Sequence, residues 1–169
     1  MTELNALLQP GKIGKLSLRN RLVMAAMGGV SPREERSAGN QRALDFYVER
    51  AKGGVGLIIT PSVVSTEANM PGAAPDDTFV PRIKELAAAL HAHGAKLACQ
   101  TGYVTLVSWQ GVQQVGPSPI PSFTNQVTPR ALTVTEIETI VEAWGEAALR
   151  IQSAGADAVE IQRYNSHGF

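Results

Sequence analysis

The 169-residue chain carries 15 lysines and arginines against 15 acidic residues, so it lacks the charge imbalance of a nucleic-acid or membrane-surface binder. Its one cysteine, Cys99, excludes an internal disulfide and any four-cysteine cluster held by this chain alone. No apolar run nears the ~20 residues of a membrane span, and Met1–Pro10 has no basic segment leading into an apolar one, so one cytoplasmic domain over residues 1–169 is expected.

Pro10-Gly11 and Gly14 punctuate a polar–apolar alternation over Lys12–Leu18, the pattern of a small β-hairpin. Arg21–Ala26 is a short apolar strand ending at Gly28-Gly29, and the charged stretch Ser31–Gly39 reads as an exposed loop. Leu44, Tyr47, Val48 and Ala51 then share one helical face, and Gly53-Gly54 stop the helix. A second strand, Gly56–Thr60, is broken by Pro61, and Ala68–Asp77 is a proline-, glycine- and acid-rich loop. The next helix turns Ile83, Leu86, Ala87 and Leu90 inward and closes at His91-Ala92-His93-Gly94, before a third strand at Lys96–Thr101.

Gly102–Leu132 is a long excursion with several prolines and two short apolar pieces, the kind of connection that serves a site or a lid. Thr133 with Glu136 three residues on forms a capping box at the head of a helix. Its buried stripe is Ile137, Ile140, Val141, Trp144, Ala148 and Ile151, and Gly155 ends it. A fourth strand follows at Ala158–Ile161.

Strict strand–helix alternation calls for a parallel α/β sheet with right-handed crossovers. Periodicity alone leaves a barrel and an open doubly wound sheet both standing. The N-terminal hairpin, able to plug the bottom of a barrel, favours a (β/α) barrel of the TIM type. No G-x-G-x-x-G fingerprint is present, since Gly53-Gly54-Val55-Gly56 is a helix end entering a strand. A closed eight-fold barrel takes roughly 250 residues, so four strand–helix units make about half of one. Two unpaired strand edges would then remain, and self-association is the expected remedy.

The blocks Pro10-Gly11-Lys12-Ile13-Gly14, Leu18-Arg19-Asn20-Arg21-Leu22-Val23-Met24-Ala25, Phe46–Thr60, His91–Lys96, Ala131-Leu132-Thr133 and Gly155–Ile161 together resemble the old yellow enzyme family of NADH:flavin oxidoreductases. The opening is more similar to its bacterial enoate and dienoyl-CoA reductase branch than to the fungal one. The resemblance implies an eight-fold barrel with FMN at the carboxyl ends of its strands. It also implies hydride from NADH or NADPH passing through the flavin to an activated alkene or similar acceptor. Barrel sites do lie on the strand-to-helix loops.

Carried over by resemblance, Ala25, Ala26, Met27 and Gly28 fall where the family's first strand touches the flavin. Ser62 matches a small residue beside the isoalloxazine ring. Gln100 matches a glutamine at the flavin pyrimidine edge, where an amide offers both donor and acceptor. Alanine at position 26 stands where the family commonly has proline, and Gly28 where many members have threonine or cysteine.

Other departures fall on the catalytic positions. After Gln100 the family usually has a histidine and a glycine-arginine pair, whereas here the chain reads Thr101-Gly102-Tyr103. After the fourth strand the family has a histidine, then a histidine or asparagine, which grip the substrate carbonyl oxygen, and a tyrosine that supplies the proton. Read without a gap, Gln162 takes the first of these places, Asn165 keeps the second and His167 replaces the tyrosine. Read with two extra residues, His167-Gly168-Phe169 stands for histidine-glycine-tyrosine. The ungapped reading is preferred because Gln162 and Asn165 both donate hydrogen bonds suited to an oxyanion.

The remaining polar residues read as structural. His91 and His93 suit a helix C-terminus rather than a metal, and none is expected. Cys99 reads as a small buried apolar group, and Trp109 and Trp144 as packing. Lys96 stands at the beginning of its strand, the wrong end for Schiff-base chemistry in a barrel. Glu160 is open between the barrel interior and a buried ion pair. Two rivals accompany the enzyme reading: a catalytically inactive half-barrel acting as an oligomer or binding module, and a barrel isomerase or aldolase.

Overall fold

The computed structural model describes residues 4–27, 39–64, 80–101, 115–121 and 127–161. In chain order these form α1 (Leu4–Leu8), β1 (Gly11–Ile13), β2 (Leu16–Leu18), β3 (Val23–Met24), α2 (Gly39–Lys52), β4 (Leu57–Val64), α3 (Val80–Ala92), β5 (Lys96–Thr101), β6 (Val115–Gly116), β7 (Arg130–Ala131), α4 (Val134–Ser153) and β8 (Ala158–Ile161). Strands β3, β4, β5 and β8 lie side by side in that order and all run parallel, as the strand–helix alternation requires. The hairpin β1–β2 stands apart as an antiparallel pair, and β6–β7 as a two-residue parallel pair.

One face of the four-stranded sheet is covered by helices. Ile58 on β4 and Leu97 and Cys99 on β5 pack there with Tyr47 and Ala51 of α2, Ile83, Leu86 and Leu90 of α3, and Ala147 and Ile151 of α4. The opposite face carries a second cluster of Leu57, Ile59, Ala98 and Ala158, sealed at the amino ends of the strands by Leu16 and Leu18 of the hairpin. The hairpin therefore closes the bottom of the inner face. Arg19 locks it there, donating to the carbonyls of Ala51, Val55 and His93 at 2.8, 2.9 and 2.6 Å, which ties it to the ends of both α2 and α3. Asn20 adds a bond to the Gly54 carbonyl, and a Cβ on Gly56 would lie only 2.5 Å from the Asn20 Oδ1, so only glycine fits there.

Several sequence expectations need correction. The second strand is not broken at Pro61. It runs on to Val64, and the pairing slips between Thr60, opposite Cys99, and Val64, opposite Thr101. A bulge accommodates the missing N–H that would otherwise interrupt the ladder. The first strand is shorter than Arg21–Ala26, because the Asn20 side chain takes the Leu22 N–H and the Leu7 carbonyl takes that of Arg21. Val141 is 58% exposed rather than part of the α4 stripe. One residue past buried Ile140, it is rotated about 100° around the helix, and Ala147 fills the inward position instead. Gly39 belongs to α2; the rest of Ser31–Gly39 and all of Ala68–Asp77 lie outside the described residues.

Candidate active site

In a parallel sheet, residues paired across neighbouring strands share a face. Ala98 pairs with Ala158 and Gln100 with Glu160, so the period of two carries Gln100 and Glu160 onto the inner face near the carboxyl ends of β5 and β8. Both are partly buried, and the Gln100 Nε2 donates to the Glu160 Oε1 at 2.7 Å. Ala25, Ala26 and Met27 follow directly from β3, on the other side of β4, so they stand two strand spacings, about 10 Å, from Gln100. Ser62 lies within the bulged end of β4. Gly28, Gln162, Asn165, His167 and Trp109 lie outside the described residues.

The head of α4 stands at the same end of the sheet, since α4 returns the chain from the carboxyl end of β5 to the start of β8. There Arg130 makes a two-pronged pair with Glu136, at 2.9 and 2.8 Å, while Glu136 also accepts from the Thr133 N–H and hydroxyl. The Arg130 guanidinium, followed by the Thr133 N–H, holds the Glu136 carboxyl at about 2. The capping box expected from sequence is present, and Arg130 extends it into a clamp between β7 and α4. Trp144 packs below with Ile137, Ile140, Val115 and Leu132.

The amino ends of the strands hold a different cluster. The Asp157 carboxylate receives the Lys96 ammonium and the His91 ring nitrogen, both at 2.7 Å, and the Leu97 N–H at 2.9 Å. Burial pushes its pKa up, but these three partners outweigh burial and bring it below the usual carboxylate range. Lys96 and His91 are thus bound to a structural carboxylate at the end of the sheet away from Gln100. Burial pushes the Cys99 thiol up to about 12, which removes it from nucleophilic chemistry. Among the described residues no group of three histidines, cysteines or carboxylates is placed to hold a metal, and no helix is long and apolar enough to cross a membrane.

Glu160 is the residue whose place the sequence left open. The signal that finds it is the matched spacing of Ala98-x-Gln100 and Ala158-x-Glu160, legible once the two strands are set in equal register.

Comparison with known proteins matches residues 6–169 to the NADH:flavin oxidoreductase / NADH oxidase family. The NADH oxidase of Thermoanaerobacter brockii is 37% identical over 178 residues, covering 100% of this chain and 27% of its own length. The cinnamate reductase of Clostridium sporogenes is 40% identical, covering 92% of this chain and 25% of its own. Among solved structures, morphinone reductase superposes with a TM-score of 0.69 at 28% identity, over 96% of this chain and 49% of that one. The structural neighbours are TIM-barrel oxidoreductases, and the chain spans about a quarter to a half of the length of these relatives.

Proposed function

Because this chain belongs to the NADH:flavin oxidoreductase / NADH oxidase family, we propose that it forms the first four strand–helix units of an FMN-binding (β/α) barrel. Its reaction on this reading is oxidation of NADH or NADPH with reduction of an activated alkene or similar acceptor. The observation that carries the reading is Gln100, an amide on the inner face at the carboxyl end of β5, within a family match that runs almost the whole chain. An amide that offers both donor and acceptor fits the pyrimidine edge of FMN.

Bound FMN supplies the hydride-carrying chemistry that joins nicotinamide to acceptor. The chain's own residues supply position. Gln100 and the Ala25–Gly28 backbone hold the ring system, with Ser62 beside it. Gln162 and Asn165, which follow β8, donate hydrogen bonds to the acceptor's carbonyl oxygen, where negative charge collects, and His167 delivers the proton. The test is a fluorescence titration of the 169-residue chain with FMN. In many barrels the phosphate is held by loops after the seventh and eighth strands. Binding at least ~100-fold weaker than in a relative of morphinone reductase length is therefore expected, a difference of about 2.7 kcal/mol. No saturable binding at millimolar FMN would overturn the reading. Stoichiometric FMN retained through purification would overturn the weak-phosphate argument.

A second reading, a non-catalytic oligomeric half-barrel, draws on the outer flank of the sheet. Val141 and Leu149 of α4 and Ile161 of β8 are 58, 66 and 60% exposed, and β8 is paired only with β5 among the described strands. It predicts dimers by light scattering; a monodisperse monomer that binds no apolar dye would remove it.

A further inference from the structure

We propose that Glu160 is a positioning residue that fixes the Gln100 amide so that its oxygen, rather than its nitrogen, faces a ligand on the inner side of β4 and β3. The flavin reading above enters only in naming that ligand.

The two residues sit directly opposite each other in the parallel register and share the inner face. Their contact is 2.7 Å, the short separation of a charge-assisted bond. Which end of a glutamine amide is nitrogen is a matter of chemistry here, because a carboxylate accepts and never donates. The amide must therefore bring its NH2 group to Glu160, on the β8 side. The oxygen, on the other branch of the same planar group, is then the end that does not meet Glu160. A neutral glutamine or leucine at position 160 would remove this bias, and Gln100 would offer nitrogen or oxygen with little preference.

The consequence is a rule for the ligand: it must bring an N–H to the Gln100 oxygen. The imide N–H of an isoalloxazine satisfies that rule. A ring methylated at the imide nitrogen does not satisfy it. Glu160 need not touch the ligand to impose this choice.

Two measurements on the full 169-residue chain decide the matter. The first needs no ligand. In amide ¹H–¹⁵N spectra at neutral pH, the Gln100 side-chain NH2 signal, identified by its loss in Gln100→Glu, should have one proton displaced downfield by its bond to Glu160. That displacement should be lost in Glu160→Leu and kept in Glu160→Asp. A signal left unchanged by Glu160→Leu overturns the proposal. The second compares FMN with N3-methyl-FMN by fluorescence titration. The unsubstituted chain and Glu160→Asp should prefer FMN by about tenfold, the worth of one well-made hydrogen bond, and Glu160→Gln should reduce the preference to about threefold or less. An equal preference in all three overturns the proposal. Failure of FMN to bind any of them overturns the flavin reading instead, and the ligand-free spectra still decide the role of Glu160.

Discussion

Replacing Asp157 tests how β8 is held to β5. Its carboxylate performs two separable tasks. It accepts the Leu97 N–H at 2.9 Å, and it pairs with Lys96 and His91 at 2.7 Å each. The Asp157 side chain is 12% exposed and those of Lys96 and His91 37% each, so the Lys96 ion pair is partly screened and worth roughly 0.2–1 kcal/mol, with the His91 hydrogen bond beside it. Leaving a part-buried backbone N–H without an acceptor costs about 1–3 kcal/mol. Asp157→Ala should therefore cost about 2–3 kcal/mol at neutral pH. Asp157→Asn keeps an oxygen for the Leu97 N–H and loses only the charge, so it should cost about 1 kcal/mol.

The pH dependence separates the two tasks again. The folded-state pKa of Asp157 is depressed below its ordinary 3.8. The stabilisation from its charge is present in full above that ordinary value and is lost as pH falls through the lower folded value. Urea denaturation followed by circular dichroism at pH 7 and at stepwise lower pH measures this. The gap between the unsubstituted chain and Asp157→Asn should close in acid, while the gap between Asp157→Asn and Asp157→Ala should stay. If Asn proves as costly as Ala at pH 7, or if the Asn gap does not narrow as pH falls below 3.8, the division into hydrogen bond and charge is wrong.

Arg19→Met should destabilise by about 2 kcal/mol, and Arg19→Lys should recover less than half, because one ammonium cannot span three carbonyls at two helix ends; equal stability of the Lys variant in the same denaturation assay would contradict this. Thr101→Val should raise stability by about 1 kcal/mol, since the Thr101 hydroxyl is buried without a partner among the described residues; a loss on denaturation would show that the hydroxyl is satisfied. In protein completed by a relative's second half, Gln162→His with His167→Tyr should raise enone turnover at least tenfold if the ungapped reading is right. Recovery by Phe169→Tyr, with no effect of that pair, would favour the gapped one.

Helix α3 and strand β5 were legible because their patterns are long enough to show a period. Ile83, Leu86, Ala87 and Leu90 all lie inward, and β5 occupies Lys96–Thr101 as read. Helix α1 and the pair β6–β7 escaped, since five-residue and two-residue elements carry no period. Pro61 misled in a specific way: its missing N–H argues for a strand end, but a bulge lets the strand continue, and only the partner strand reveals the bulge. Gln100 was singled out through resemblance, whereas the proposed role of Glu160 depends on the register of β5 against β8. A single strand's sequence does not contain that register.

Two polar pairs of opposed purpose join β5 to Asp157, just before β8, and to Glu160 within it. Lys96 and Asp157 meet at the amino ends, and Gln100 and Glu160 meet on the inner face three or four residues on, roughly 10–13 Å along the strands. The first pair works with the Leu97 N–H and His91 to fix where β8 begins, and that in turn sets Glu160 opposite Gln100. A one-residue slip of β8 would turn Glu160 to the helix-covered face and leave the amide without its carboxylate. The amino-end cluster is thus a condition for the ligand-facing geometry without touching a ligand. It follows that Asp157→Asn, which keeps the Leu97 bond and the register, should lower stability and leave the FMN preference over N3-methyl-FMN intact. Glu160→Gln should do the reverse. If both substitutions moved both quantities together, the two ends of the sheet would be a single unit, and the separation of support from recognition argued from their positions would be wrong.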